Sequence, residues 1–155
     1  MKRVGIIGCG NIAQVHAWVL QEMEQAELSA VCDMVKEKAV SLSEKYADGR
    51  AKVYTDWMEL CLTEVDVVHV CTPHHLHVPM ALEALKQGKA VFMEKPCAIN
   101  REEFKELKEA AGRNPGQLGF CFQNRYNDTT LRMDELISQG VIGELIGGRA
   151  FVTWR

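Results

Sequence analysis

The sequence predicts an α/β protein built on a doubly wound parallel sheet. Short runs rich in Val and Ile alternate with longer segments of helical periodicity, which is typical of repeated βαβ units. Successive residues within the short runs are apolar, so the strands are expected to be buried on both faces. The first run leads into a glycine-containing turn at residues 8–10, where a helix is predicted to begin.

Strands and helices are predicted to alternate through residues 1–122, which we interpret as one domain. The strands are expected at Val4–Ile7, Leu28–Cys32, Lys52–Tyr54, Val65–Cys71, Ala90–Met93 and Leu118–Phe122. The helices are expected at Ile12–Met23, Lys36–Tyr46, Asp56–Leu62, Val78–Gln87 and Arg101–Ala111. Gly88 and Gly112 follow two of these helices directly and mark their ends.

The pattern changes after Phe122. Gln123–Asn127 is polar and turn-prone, a helix is predicted at Thr129–Gln139, and Glu144–Trp154 alternates weakly, as a strand does. Residues 123–155 are therefore expected to be the beginning of a second, truncated α/β domain with one helix and one strand. The open edge of that strand predicts a homo-oligomer.

Composition limits the classes of function. The 155 residues are 47% hydrophobic and 25% charged, which suits one globular domain and a fragment of another. Lys and Arg total 18 against 21 Asp and Glu, a net charge of -3, so no overall field attracts nucleic acid or an anionic membrane. No apolar run approaches the roughly 20 residues that span a bilayer.

A phosphate-binding motif follows the first predicted strand. The pattern G-x-G-x-x-[GA] is matched by Gly8-Cys9-Gly10-Asn11-Ile12-Ala13. The first glycine permits a tight turn, the second lets the backbone approach a pyrophosphate, and the small alanine permits close packing. The helix N-terminus then offers free N–H groups and a favourable dipole to the phosphates. A dinucleotide-binding domain of Rossmann type is therefore predicted.

Asp33 bears on the choice of dinucleotide. It ends the second strand, 20 residues after Ala13, where a carboxylate would accept hydrogen bonds from an adenosine ribose. No arginine follows Asp33 directly, so NAD is predicted over NADP, although Lys36 and Lys38 lie nearby. The alternative role for Asp33 is to cap a helix.

A second polar segment, Thr72-Pro73-His74-His75-Leu76-His77, follows the fourth predicted strand. Open α/β sheets bind ligands at the carboxyl ends of their strands, so this loop is predicted to lie beside the cofactor. Three imidazoles suggest zinc, but consecutive loop positions do not ensure a converging geometry, and no metal site is predicted. A solvated histidine-rich turn is the remaining alternative.

Glu94-Lys95-Pro96 follows the next strand and is predicted to lie at the same edge of the sheet. A lysine held there could exchange a proton with a substrate hydroxyl. Pro96 restricts the backbone at this point and is compatible with a cis Lys95–Pro96 bond. The alternative is a surface ion pair between Glu94 and Lys95.

Together these motifs resemble the Gfo/Idh/MocA family, which is named after glucose-fructose oxidoreductase and inositol dehydrogenase. The matching segments occur in order, at Gly8–Ala13, Asp33, Thr72-Pro73-His74 with His77, Gly88-Lys89, Glu94-Lys95-Pro96, Gln123–Asn127 and Gly140–Gly143. The resemblance implies an NAD(P)-binding Rossmann domain, followed in full members by an α/β domain that carries substrate and subunit contacts. It also implies oxidation or reduction of a sugar, polyol or related hydroxyl compound.

The resemblance implies roles for individual residues. Lys95 matches the lysine of the family's E-K-P motif, which acts in proton transfer. Thr72, Pro73 and His77 match its cofactor-side loop, and Arg125 matches an arginine close to the active site. With Lys95 as the catalytic candidate, the cofactor-binding candidates are Gly8, Gly10, Asn11, Ile12, Asp33, Thr72, Pro73, His74, His77, Glu94, Lys95 and Arg125.

One family motif is missing from the sequence. Family enzymes pair the lysine with Asp-x-x-x-His in the second domain, and no aspartate here has a histidine at that spacing. We therefore expect a truncated chain that binds dinucleotide and turns over poorly or not at all.

The six cysteines are spread singly, which is typical of free thiols in a reducing compartment and predicts a cytoplasmic location.

Two alternative functions come from other classes of protein. One alternative is a stand-alone dinucleotide-binding or redox-sensing module, in which Cys9 or Cys71 responds to oxidation through an accessible thiol of low pKa. The other is an assembly piece that pairs through Glu144–Trp154.

Overall fold

The computed structural model describes residues 1–151. Its strands are β1 Lys2–Ile7, β2 Ala26–Cys32, β3 Lys52–Tyr54, β4 Val67–Val70, β5 Ala90–Glu94 and β6 Leu118–Cys121. They form one parallel sheet in the order β3-β2-β1-β4-β5-β6. This is the doubly wound order, in which the chain reverses direction across the sheet between β1 and β4. A ligand crevice is expected at that point, outside the carboxyl ends of the strands.

The helices are α1 Asn11–Gln21, α2 Lys36–Ala47, α3 Trp57–Cys61, α4 His77–Lys86, α5 Arg101–Arg113 and α6 Asp128–Ser138. The elements predicted for residues 1–122 are confirmed in order, and their ends differ from the prediction by two residues or fewer. Two helix starts have clear local causes, since Asp56 accepts from the Met58 N–H at 2.9 Å and Asn100 from the Glu103 N–H at 2.8 Å.

Apolar side chains pack on both faces of the sheet. One layer joins α1 and α2 to the sheet through residues such as Val4, Ile6 and Leu42. The other joins α3, α4 and α5 to the opposite face through residues such as Ile7 and Leu107. This burial on both faces explains why the strands read as continuous apolar runs.

Residues 122–151 belong to a second compact unit, which contains a 3-10 helical turn at Gln123–Tyr126 and the helix α6. The prediction of a strand at Glu144–Trp154 is wrong for residues 144–151, which form no strand. Residues 152–154 of that prediction lie outside the described residues. An extended segment needs a neighbouring strand for its amide groups, and the described part of this unit has none. Its assignment as the beginning of a second domain stays a prediction.

Within residues 1–151, every helix is too short or too polar to cross a membrane.

Candidate functional site

The turn after β1 is shaped for a close approach between two loops. Gly8 has φ 88°, in the left-handed region that favours glycine. A Cβ at this position would lie 2.8 Å from both the carbonyl carbon and the carbonyl oxygen of Cys71, and 2.9 Å from Cγ2 of Thr72. Both the conformation and the lack of space therefore require glycine, and they bring the loop after β1 against the loop after β4.

Helix α1 begins at this turn with its N-terminus open. Gly10 occupies the N-cap position, so no side chain caps the first N–H groups of the helix. A Cβ built on Gly10 would meet nothing within 4 Å. The first turn, which begins at Asn11 and Ile12, contains no acidic residue, so no carboxylate competes for its N–H groups. Ala13 is fully buried, which lets the helix pack closely on the sheet. This arrangement fits the pyrophosphate of a dinucleotide.

Asp33 holds the same turn from the end of β2. Its Oδ2 accepts from the Cys9 N–H at 2.8 Å, and its Oδ1 accepts from the Val35 N–H at 2.9 Å. Val35, and not Asp33, is the N-cap residue of α2, so the capping alternative is not what the structure shows. Each carboxylate oxygen keeps further capacity to accept a hydrogen bond, which suits a ribose hydroxyl.

His77 connects the loop after β4 with the loop after β5. Its ring is completely buried, with Nε2 2.8 Å from the carbonyl oxygen of Thr72 and Nδ1 2.8 Å from that of Pro96. Both ring nitrogens therefore face protein carbonyls and are not directed at a shared ion with the exposed His74 and His75. The Lys95–Pro96 peptide bond is cis.

Lys95 is exposed and directly follows β5, whose last residue, Glu94, carries a buried carboxylate. Glu94 is 5% exposed, and its Oε2 accepts from the Lys95 N–H at 3.2 Å. Its Oε1 lies 3.1 Å from Nε2 of His16 in α1. The alternative of a surface ion pair is wrong, because Glu94 is buried and contacts Lys95 through the backbone amide.

The surroundings of Glu94 stabilise its charged form. Burial is the largest single influence on the pKa of Glu94 and raises it, but hydrogen bonds from His16, Cys121 and the Lys95 amide together lower it below its ordinary value. Nδ1 of His69 in β4 lies 3.1 Å from Nδ1 of His16. Burial, and secondarily the charge of His16, lower the pKa of His69 to about 3, so this imidazole is neutral near pH 7.

Sequence reasoning missed His16 and His69. The available signal was a polar residue inside an apolar strand, since His69 interrupts the valines of β4. Arg125 belongs to the second unit, where it is exposed in the 3-10 helical turn. The other candidates lie in the first unit, in the loops after β1, β2, β4 and β5.

The thiols near this edge do not have the properties of a redox sensor. Cys9 is 4% exposed, and burial, followed by the charge of Asp33, raises its pKa to about 12. Cys71 is 7% exposed, and burial raises its pKa also. A sensing thiol needs access and a low pKa, and these two have neither.

We expect Cys97 to react first when the native chain is alkylated with iodoacetamide at pH 8. Cys97 and Cys121 are both half-buried, but the Cys121 thiol is hydrogen-bonded to the Glu94 carboxylate. Cys9, Cys32, Cys61 and Cys71 are buried. These four should react at least roughly 100-fold more slowly, because thiolate fraction and access both fall. Peptide mass spectrometry gives the rate at each site. Rapid modification of Cys9 or Cys71 that NAD blocks would instead support the redox-sensing alternative.

The sheet order, the Gly8 turn and the Asp33 carboxylate define a dinucleotide-binding domain of Rossmann type. A family model described as "Oxidoreductase family, NAD-binding Rossmann fold" (Gfo/Idh/MocA) matches residues 2–121. The chain belongs to this family.

Several named proteins are similar to the chain. D-glucoside 3-dehydrogenase of Escherichia coli (strain K12) is 37% identical over 145 residues, which cover 92% of this chain and 41% of that protein. Glycosyl hydrolase family 109 protein 1 of Shewanella sp. (strain ANA-3) is 33% identical over 158 residues. This match covers 97% of this chain and 34% of that protein. The chain thus spans less than half the length of these relatives.

Solved structures agree with this relationship. The myo-inositol dehydrogenase of Lactobacillus casei, in complex with NAD(H) and myo-inositol, superposes with a TM-score of 0.86 at 29% identity, covering 92% of this chain and 43% of that one. The scyllo-inositol dehydrogenase of the same organism, with bound NAD(H) and scyllo-inositol, has a TM-score of 0.87 over 93% of this chain and 43% of that one. Its identity is 24%, so it supports the fold alone.

Proposed function

We propose that this chain is the cofactor-binding part of an NAD-dependent dehydrogenase that acts on a sugar, polyol or related hydroxyl compound. The observation that carries the proposal is the position of three features at one edge of the sheet: the Gly8 turn, the Asp33 carboxylate and the Lys95 loop. The names of the relatives support a sugar or polyol, since they include a D-glucoside dehydrogenase and a myo-inositol dehydrogenase.

Distinct residues would hold the parts of NAD. The N–H groups at the start of α1, including those of Asn11 and Ile12, would bind the pyrophosphate. Asp33 would accept the ribose hydroxyls, and the half-buried Thr72 with the exposed Pro73 and His74 would lie on the nicotinamide side. Glu94 and His77 are buried and would act by holding the loops in place. Arg125, in the second unit, is a cofactor-binding candidate on the family resemblance alone.

Lys95 is the proposed catalytic residue. Oxidation of a hydroxyl to a carbonyl removes a hydride from carbon and a proton from oxygen, and bound NAD would supply the hydride acceptor. Nζ of Lys95 would exchange the proton, because its backbone is held on both sides while its side chain is exposed. Without an Asp-x-x-x-His motif, we expect little turnover from these 155 residues alone.

The domain assignment is part of the same proposal. Residues 1–122 would be the NAD-binding domain, and residues 123–155 would begin the domain that carries substrate and subunit contacts. The match to the E. coli relative supports this assignment, because this chain aligns with only 41% of the length of that protein. A cytoplasmic location and self-association remain predictions.

NAD should bind the 155-residue chain saturably, and Asp33→Ala should weaken binding by roughly 10- to 100-fold. The variant removes the ribose acceptor and also the bond from Oδ2 to the Cys9 N–H. Isothermal titration calorimetry with NAD and NADP measures both affinities, and NADP should be the weaker ligand.

Glu37→Ala is the matched control for the Asp33 variant. Glu37 is an exposed acid in the first turn of α2, so its removal changes the net charge equally without touching the turn after β1. It should leave NAD affinity within about threefold. Failure of the unsubstituted chain to bind NAD, or an Asp33→Ala variant that binds equally well, would contradict the proposed function.

A further inference from the structure

A buried contact joins α1 to Glu94, the last residue of β5 and the residue before Lys95. We propose that His16 is a positioning residue that, through Glu94, fixes the backbone at Lys95 and couples it to the helix that begins at the phosphate-binding turn. The contact joins residues 78 positions apart in the sequence. The inference deepens the proposed function, because it concerns how the proposed proton-transfer residue is held.

The carboxylate of Glu94 is shared between the helix and the loop. His16 and Glu94 are 7% and 5% exposed, and Nε2 of the imidazole lies 3.1 Å from Oε1. The other oxygen accepts the Lys95 N–H at 3.2 Å. A buried carboxylate requires donors, and here they come from His16 in α1, from the Cys121 thiol and from the residue that must be placed. Loss of the His16 donor removes the bond that joins this carboxylate to α1, and the carboxylate can then turn away from the Lys95 N–H.

The ring of His16 is itself held in one orientation. Its Nδ1 lies 3.1 Å from Nδ1 of His69, and the two rings meet edge to face at a centroid distance of 5.1 Å. The ring of Phe92 packs against both, at 5.7 Å from His16 and 5.2 Å from His69. Because a carboxylate oxygen only accepts, Nε2 of His16 is the donor to Glu94, and the Nδ1 contact with His69 keeps the ring turned that way.

Lys95 is therefore anchored from both faces of the sheet. On the α1 side its own N–H binds Glu94, and on the α4 side the next carbonyl, that of Pro96, binds the buried His77. His16 lies five residues after the start of α1, about 7.5 Å along the helix axis. A short rigid connection thus joins the helix end proposed to bind phosphate to the proposed catalytic lysine.

The same side chains could instead hold a metal ion. One ligand atom from each of His16, Glu94 and Cys121 lies within 4.8 Å of the others. We favour the hydrogen-bonded arrangement, because both oxygens of Glu94 already face N–H groups. Metal binding is one outcome of the experiment below.

Amide hydrogen exchange of the ¹⁵N-labelled 155-residue chain tests the coupling without any ligand. In His16→Leu, exchange at the Lys95 amide should accelerate by roughly tenfold or more, since a bond to a charged acceptor is lost. Glu94→Gln should do the same, because the carboxamide can direct an NH₂ group at the Lys95 N–H. The Val91 amide, which binds the Gln117 carbonyl at 2.7 Å, reports on the stability of the sheet and should change by no more than about twofold.

Two further variants serve as controls. His16→Gln keeps an N–H donor near the position of Nε2 and should restore Lys95 exchange to within about threefold of the unsubstituted chain. Ser43→Ala removes another buried hydrogen bond, from Oγ to the Ala51 carbonyl at 2.8 Å, and should leave the ratio of Lys95 to Val91 exchange unchanged.

Competitive acetylation of Lys95, followed by mass spectrometry, connects this result to the proposed function. In the unsubstituted chain, saturating NAD should slow acetylation of Lys95 by roughly fivefold or more, and in His16→Leu that protection should be lost at equal NAD saturation. If NAD binds the unsubstituted chain and does not protect Lys95, the proposed role of Lys95 fails, whereas the exchange result still decides the coupling.

Three results would overturn the coupling. The first is unchanged exchange at Lys95 in His16→Leu, and the second is acceleration at Lys95 and Val91 by the same factor, which would show global destabilisation only. The third is stoichiometric, micromolar binding of Zn²⁺ that is lost in His16→Leu, which would assign these side chains to a metal centre.

Discussion

Replacing Gly8 with alanine should lower the free energy of unfolding by about 3 kcal/mol or more and abolish NAD binding. The residue has φ 88°, and the added Cβ would lie 2.8 Å from the Cys71 backbone. Backbone at the end of β4 cannot move aside as a flexible side chain would, so the turn itself must open. Urea unfolding followed by circular dichroism measures the loss of stability, and calorimetry measures the loss of binding.

Two other glycines separate the two causes of the stability loss, which are the positive φ and the contact with Cys71. Gly49 has φ 72° with nothing within 4 Å of its Cβ position, so Gly49→Ala should cost only about 1 kcal/mol from backbone strain. Gly10 has open space as well and no positive φ, so Gly10→Ala should leave stability within about 0.5 kcal/mol while weakening NAD binding. A Gly8→Ala cost equal to that of Gly49→Ala would show that the contact with Cys71 does not limit the turn.

The sheet could be predicted because each strand carries its own signal. A parallel strand covered on both faces must be apolar at successive positions, and helices with one buried face must alternate with such strands. The segment Glu144–Trp154 shows the limit of this reasoning. Its weak alternation is compatible with a strand, but pairing depends on a neighbour, and residues 144–151 find none within the described part of their unit.

The site could be predicted only where function leaves a local pattern. The turn at Gly8 and the carboxylate of Asp33 follow spacing rules that a sequence displays directly. His16 and Glu94 do not, because their contact depends on how α1 lies across the sheet. Sequence spacing predicted that Glu94 lies at this edge of the sheet. That its side chain points into the protein depends on how α1, β4 and β5 pack together.

Replacing His77 with leucine should lower the free energy of unfolding by about 2–4 kcal/mol and weaken NAD binding by roughly tenfold. The imidazole is completely buried between the carbonyl oxygens of Thr72 and Pro96, each 2.8 Å from a ring nitrogen. Leucine fills much of the volume but has no ring N–H to donate, so the carbonyls on either side of the ring lose that donor. The loops after β4 and β5 would then separate, and both are proposed to contact the cofactor.

His75→Leu is the control for this variant, because His75 lies two positions earlier and is exposed. It should change the free energy of unfolding by no more than about 0.5 kcal/mol. The two measurements on His77→Leu, denaturant unfolding and NAD calorimetry, also test each other. If unfolding is unchanged, water has replaced the imidazole at both carbonyls and His77 is not a structural connection. If stability falls but NAD affinity does not, the connection is structural alone, and the loops after β4 and β5 do not act together in holding the dinucleotide.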